Sequence, residues 1–442
     1  MKPSLTIIGG GLAGCEAAWQ GAANGAQVLL YEMRPHTMTP AHSGGGLAEL
    51  VCSNSLRGAA LSNAVGLLKE EMRRLGSLIL AAADATAVAA GGALAVDRQR
   101  FSAYIESAIR INEGISLVRE EMKTIPEGPV IIAAGPLASS SLSKSIADMT
   151  GSSGLYFHDA IAPIVEAQSI DMASTFFASR YGKGESADYL NCPFDKAQYR
   201  RFWQALKQAE LFPLRDFEDE KLFAGCMPIE ALAHLGEDTM RFGPLKPVGL
   251  NSEQGRWSKT NEQPYAVAQL RQEDAQGSMY NLVGFQTRLT QSEQKRVFSL
   301  IPGLEQAEFL RFGAMHRNTY IDSPRLLKAD LSLKKAPRIF FAGQITGVEG
   351  YVESAAAGLA AGLNAARILN GQEPVIFPSH TAIGSLLRYI CQDTGKGFMP
   401  MNINFGLLPP LELRIRDKQQ KNLAIAERAL RELKQFKAEK GL

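Results

Sequence analysis

The chain opens on an apolar run that stops abruptly. Leu5-Thr-Ile-Ile8 gives way to Gly9-Gly-Gly11-Leu-Ala-Gly14, then to an alanine-rich stretch and a second apolar run, Val28-Leu-Leu-Tyr-Glu32. Short apolar runs bounded by glycine predict buried strands, and the alanine-rich stretch between them predicts a helix. The pattern returns near the other end: Arg338-Ile-Phe-Phe-Ala-Gly343-Gln-Ile-Thr-Gly347-Val-Glu349-Gly350 leads into a small-residue helix reaching Gly362. Between these lie a helix expected over 62–75, an amphipathic helix near 99–112 introduced by Val96-Asp97-Arg98, and a buried strand from Pro129 that ends in the Gly135-Pro136 turn. Leu78 to Val96 is the most apolar long window. Asp84, Thr86 and Gly91-Gly92 interrupt it, which predicts two strands around a glycine turn and not a membrane span.

The order changes over 186–277. An aromatic and basic helix around Tyr199-Arg-Arg-Phe-Trp203 and the loop Phe242-Gly-Pro-Leu-Lys-Pro247 read as an inserted domain, with Tyr280–Phe285 bringing the chain back to the first. The last stretch, Leu411 to Leu442, reads as one long helix whose polar positions are rich in Arg and Lys, a solvated face or an RNA-contacting one.

Strand, glycine turn, helix, second strand and terminal acid in this order make a dinucleotide fingerprint. Gly9 suits the tight turn, Gly11 lets backbone approach a pyrophosphate, and Gly14 lets helix approach strand. The helix N-terminus faces the phosphates, and Glu32 is placed for ribose hydroxyls. Gly10, Leu12 and Ala13 complete the turn. These residues alone leave NAD and FAD open. The second glycine-rich turn, with Gly343, Gly347, Glu349 and Gly350, is what a flavin-binding domain uses to close over its cofactor, and it favours FAD.

The bulk numbers change the picture little. At 442 residues two domains are expected, and 45% apolar with 21% charged residues describes a globular protein. A net charge of +2 neither demands nor excludes nucleic acid, because clustering decides that. The opening apolar stretch is too short for a secretory signal. Five cysteines, an odd number without a Cys-x-x-Cys pair or zinc-like spacing, fit a reduced cytoplasm and no metal site. Cys52, in Val51-Cys52-Ser-Asn-Ser-Leu-Arg57-Gly58, and Cys226, between Gly225 and Met227-Pro228, sit in polar loops and are candidate reactive thiols. Cys15 and Cys391 are explained by packing, and Cys192 is undecided.

Seven blocks taken together resemble one family: Gly9–Ala18, Leu50–Arg57, Phe223–Glu230, Pro264–Arg271, Val283–Thr290, Met315–Asn318 and Thr346–Ser354. They resemble the folate- and FAD-dependent tRNA (uracil-5-)-methyltransferases, the TrmFO family related to GidA/MnmG flavoproteins, from the N-terminus to about Gly406. The segment 250–263 and Ala314 depart from that pattern. The resemblance implies an α/β fold: a Rossmann-type, GR2-like, discontinuous FAD-binding domain with a smaller inserted α+β domain. The expected division is 1–185, 186–277 and 278–442.

It also implies an enzyme that converts the T-loop uridine of tRNA to 5-methyluridine. The carbon would come from 5,10-methylenetetrahydrofolate and the electrons from NAD(P)H through FAD, with no membrane and no obligate protein partner. The resemblance gives Cys226 as the nucleophile at uracil C6 and Cys52 as the second thiol, which removes or relays the C5 proton. It makes Arg57, His316 and Arg317 candidates for the folate or RNA site. Alternatives are a wobble-uridine modification flavoprotein of the GidA/MnmG kind, a flavin-bound RNA-binding protein without turnover, and a small-molecule NAD(P)H flavin oxidoreductase.

Overall fold

A computed structural model describes residues 4–151, 155–182, 187–212, 227–250, 263–393, 398–412 and 415–442, with 155–160 and 315–317 described as backbone. Two sheets of six strands organise them. The first runs in the order Ser332–Leu333, Ala336–Phe341, Val130–Ile132, Ser4–Ile8, Gln27–Tyr31 and Ile115–Val118, parallel except for its first pair. Leu5, Ile7, Leu30, Ile131 and Phe341 are fully buried, as expected of parallel strands covered on both faces.

Helix Leu12–Ala23 crosses helix Tyr351–Leu369 closely. A Cβ on Gly358 would lie 2.2 Å from the Ala13 carbonyl oxygen, and one on Gly362 would lie 2.4 Å from that of Ala17. The small residues of helix Tyr351–Leu369 are therefore what allow it and the fingerprint helix to touch.

The second sheet is antiparallel, ordered Phe176–Phe177, Tyr189–Phe194, Ala266–Gln272, Met279–Leu282, Ile164–Glu166 and Phe309–Arg311. Its core gathers Phe194, Tyr199, Phe202, Phe285 and Phe298. Helix Lys196–Gln208 packs there and starts at a capping box, the Asp195 carboxylate accepting from the Gln198 N–H at 2.8 Å. Strand pairing thus spans 164–311, wider than 186–277, and Tyr280–Leu282 pairs within the second sheet instead of returning to the first. Periodicity marked the strands but carried no information about which sheet each one joins. A two-stranded ribbon, Leu155–Ile161 with Ala314–Tyr320, also lies in this part of the chain.

Two expected elements differ. Leu78–Ala85 is a helix, not a strand: Ser77 caps it by accepting from the Leu80 N–H at 3.2 Å, and its alanines favour the helical state. The strand pair around Gly91-Gly92 is confined to Ala87–Val88 and Ala93–Val96. The last helix begins at Lys418, capped by Asp417 at 2.7 Å from the Gln420 N–H, and not near Leu411, where Pro409 and Pro410 precede it. Its buried stripe is Ile425, Ala426, Ala429, Leu430, Leu433 and Phe436.

Candidate active site

The parallel strands that end at Ile8, Tyr31, Ile132 and Phe341 surround a cleft partly open to solvent. A crevice at the carboxyl ends of parallel strands is where such sheets bind ligands. Gly9, Gly11, Leu12, Ala13, Glu32 and Gly343 line it. Gly9 has φ +107° and a Cβ there would meet the Ala133 carbonyl oxygen at 2.5 Å, while a Cβ on Gly14 would lie 1.7 Å from the Gly9 oxygen. These two are fixed by chain packing. A Cβ on Gly11 would meet nothing within 4 Å, so its missing side chain leaves room in the cleft itself. Gly11 also opens helix Leu12–Ala23 without a side-chain cap, leaving the first-turn N–H groups for a ligand.

Glu32 sits at the far wall, buried and paired with the equally buried Arg34. Its Oε1 accepts from the N–H and Nε of Arg34, each at 2.9 Å, and its Oε2 accepts from the Gly10 N–H at 2.9 Å and from Arg34 Nη2 at 3.3 Å. Burial opposes the charge, but the Arg34 hydrogen bond and guanidinium, with the Gly10 N–H, hold the carboxyl below its usual range. Arg34 was not legible as a site residue. Its role depends on chain folding back so that Glu49 binds the same guanidinium at 2.9 Å.

On the other side of the cleft, Val51 and Tyr351 reach its wall, and the thiol loop follows directly. The Tyr351 hydroxyl oxygen accepts the N–H of Cys52 at 2.7 Å and that of Ser53 at 3.3 Å. Burial first, then the neighbouring Cys52, pushes the Tyr351 phenol up, so it stays protonated. Arg311 donates to the carbonyls of Val51 at 3.0 Å and Cys52 at 3.2 Å. Arg98 donates to the carbonyls of Leu50 and, at 3.3 Å, Cys52, and pairs with the buried Glu273. Arg271 donates to Asn54 Oδ1 at 2.8 Å and Ser53 Oγ at 2.6 Å. Arg98, Arg271, Arg311 and Tyr351 lie far apart in the chain, and no spacing in the sequence announces that they meet.

Cys52 is partly exposed. The other described cysteines are not candidates: burial pushes the Cys15 and Cys192 thiols up and takes Cys391 to about 12. Cys226 lies outside the described residues. Helix Ile229–Leu235, which follows it, is anchored by Glu230, which accepts from Thr287 Oγ1 at 2.8 Å and the Arg288 N–H at 2.7 Å.

The remaining expected site residues fall beside the cleft wall or away from it. Gly347 and Gly350 adopt φ +83° and +110°, and a Cβ on Gly347 would strike the Phe398 ring at 2.4 Å. Glu349 is buried and accepts from Gln344 Nε2 at 2.8 Å. Gly10 is tied to Glu32. Arg57, at φ +62°, pairs with Glu353, whose side chain is fully buried against 39% exposure for Arg57. His316 and Arg317 lie on the ribbon strand, in register with Asp159 and His158. Among the described residues no helix is long and apolar enough to cross a membrane, and no cluster of acidic, His or Cys side chains could hold a metal ion.

Residues 4–373 match the family model of glucose inhibited division protein A, GIDA. The methylenetetrahydrofolate–tRNA-(uracil-5-)-methyltransferase TrmFO of Heliobacterium modesticaldum is 60% identical over 437 residues, 99% of this chain and 98% of that one. The protein of that name from Enterococcus faecalis is 58% identical over 430 residues, covering 97% and 98%. Among solved structures, GidA of Aquifex aeolicus superposes with a TM-score of 0.71 at 18% identity, over 99% of this chain and 73% of that one.

Proposed function

Because the chain belongs to the TrmFO family of methylenetetrahydrofolate–tRNA-(uracil-5-)-methyltransferases, within the wider GIDA grouping, we propose that its cleft and thiol loop form one active site for methylating a tRNA uridine at C5. The chain is an enzyme, a folate-dependent tRNA methyltransferase, and its cofactor is FAD. The observation that supports the site is the Tyr351–Cys52 contact: a residue of the cleft wall accepts the backbone N–H of a partly exposed cysteine.

The donor set fits the cofactor. Gly11 leaves room for a pyrophosphate beside uncapped N–H groups, and Glu32, on the cleft wall, would hold a ribose hydroxyl. Gly343 and Ala13 close the wall. When bound, FAD reduced by NAD(P)H would supply the electrons and carry the one-carbon unit donated by methylenetetrahydrofolate.

Uracil C5 is a weak carbon nucleophile. A thiolate adding at C6 turns the ring into an enolate with C5 activated, and that is the work of Cys226. Once C5 has bonded to carbon, its proton must leave before the thiol can be eliminated, and Cys52, held from both sides of its peptide, takes it. The target is the T-loop uridine, which must leave its stack to reach the thiols, at roughly a few kcal/mol offset by phosphate and stacking contacts. Arg317 and His316 contribute to that or to the folate site. No obligate protein partner is required, and the reaction belongs in the cytoplasm with its tRNA.

The test supplies unmodified tRNA transcript, NAD(P)H and methylenetetrahydrofolate labelled in the methylene carbon. Label in 5-methyluridine, lost in Cys226→Ala, is the expected result. Label absent from RNA while NAD(P)H is consumed would make the protein a small-molecule oxidoreductase, and transfer at the wild-type rate by Cys226→Ala would remove the nucleophile.

A further inference from the structure

Three guanidinium groups converge on one short loop. Arg98 comes from the helix Arg98–Ile111, whereas Arg271 and Arg311 come from two strands of the second sheet. Register places the latter two in one row: Arg271 faces Asn281, Asn281 faces Ile164, and Ile164 faces Arg311. The register shifts between Phe309 and Arg311, and it is the hydrogen bonds that show Arg271 and Arg311 both reaching the loop Leu50–Asn54. Between them Arg98 and Arg311 hold the carbonyls of Leu50, Val51 and Cys52, while Arg271 holds the side chains of Ser53 and Asn54.

The charge of this cluster does not close. Among the described residues Glu273 is the carboxylate paired within it, bound to Arg98, so there three cations face one anion in a largely buried place. Burial pulls the Arg271 and Arg311 guanidiniums down, with the neighbouring charges of Glu273, Arg98, Tyr189, Tyr351 and Cys52 acting on them. Arg311 Nε and Asn281 Nδ2 have no hydrogen-bond partner, and neither does Glu273 Oε1. Buried cations demand a counter-charge. Cys52 sits inside this cluster: its carbonyl accepts from Arg98 and Arg311, and its N–H donates to Tyr351.

We propose that Arg98, Arg271 and Arg311 are positioning residues that keep Cys52 ionised at neutral pH, making its reactivity depend on the second sheet being docked against the loop. The proton is lost from Sγ to solvent and no other bond changes. A thiolate in this loop is ready to accept the C5 proton, and it explains why a partly exposed cysteine is surrounded by backbone-directed arginines. The inference rests on the reading of Cys52 as a working thiol.

The test is the pH dependence of Cys52 in the FAD-loaded protein. It is followed by thiolate ultraviolet absorbance as the difference between wild type and Cys52→Ser, and by the rate of iodoacetamide labelling. The expected midpoint lies at least one pH unit below the free-cysteine value of about 8.5. Arg311→Gln should raise it by about one unit, slowing labelling roughly tenfold at pH below both midpoints, and Arg311→Lys should restore most of the shift. A wild-type midpoint at or above the free value overturns the proposal without any variant, as does an unchanged midpoint in a folded Arg311→Gln protein. If the midpoint is low but Cys52→Ala still transfers methyl at full rate, the clamp stands and the catalytic reading of Cys52 falls.

Discussion

The Tyr351 hydroxyl oxygen lies 2.7 Å from the Cys52 nitrogen and accepts its N–H, joining the first residue of helix Tyr351–Leu369 to a loop almost three hundred residues earlier. That one oxygen serves two donors, because the Ser53 N–H approaches it at 3.3 Å. Tyr351→Phe removes the acceptor and keeps the ring. Leaving such N–H groups unpaired costs about 1–3 kcal/mol, so a modest fall in Tm is expected. Turnover should fall further than stability, roughly tenfold or more, because a displacement of about 1 Å at a reacting group has that effect. Thermal denaturation and single-turnover methyl transfer, measured side by side, separate the two.

The glycines of the first turn should divide by consequence. Gly11→Ala places its methyl where nothing stands within 4 Å, so the chain should fold with normal Tm yet lose most of its flavin. Gly14→Ala forces a Cβ to 1.7 Å from the Gly9 oxygen and should unfold the domain or yield insoluble protein. Flavin absorbance per protein and a melting curve are sufficient. A yellow Gly11→Ala protein with wild-type flavin content would contradict the pyrophosphate placement.

Arg57, a candidate substrate contact, pairs with the buried Glu353, whose Oε1 also accepts the Ile403 N–H at 2.9 Å. Removing one partner of a buried pair leaves a stranded charge, worth about 3–5 kcal/mol where both groups are buried and less here, since Arg57 is 39% exposed. Arg57→Gln should lower Tm by several degrees. A pure substrate contact would raise KM and leave Tm alone.

Lys69 carries a pH signature. It is fully buried beneath the thiol-loop strand, donating to the carbonyls of Leu56 at 2.6 Å and Gly58 at 2.9 Å, and burial, with Arg57 nearby, lowers its pKa from 10.5 to about 7. The unfolded chain therefore holds the extra proton between those values. The stability that Lys69 contributes is full above 10.5 and is lost as pH falls towards about 7. Wild type should gain stability relative to Lys69→Met as pH rises through that window, and denaturant titrations at three pH values read the difference. A pH-independent difference would place the folded pKa near its ordinary value.

Much of this arrangement could be read from the chain. The strand, glycine turn, helix and acid of residues 4–32 appear in the expected order, because each is set by local pattern. Leu78–Ala85 differs from the expected strand because a short apolar run has no period of its own, and the Ser77 cap and the alanines decide for helix. Tyr280–Leu282 pairs on one side with Leu270–Gln272 close by in the chain and on the other with Ile164–Val165, more than a hundred residues away, and periodicity names neither partner. The same holds at the site. Cys52 and Gly11 declare themselves through their neighbours in sequence, whereas Arg98, Arg271, Arg311 and Tyr351 become a group only when two sheets and a helix start are brought to one loop.

The most direct measurement is a single-turnover transfer of labelled methylene carbon to tRNA by Cys52→Ala protein carrying its full complement of FAD. Loss of a positioned proton acceptor beside the flavin cleft should slow 5-methyluridine formation by about a hundredfold or more, with flavin content and Tm unchanged. Formation at the wild-type rate would show that this thiol takes no part in the chemistry.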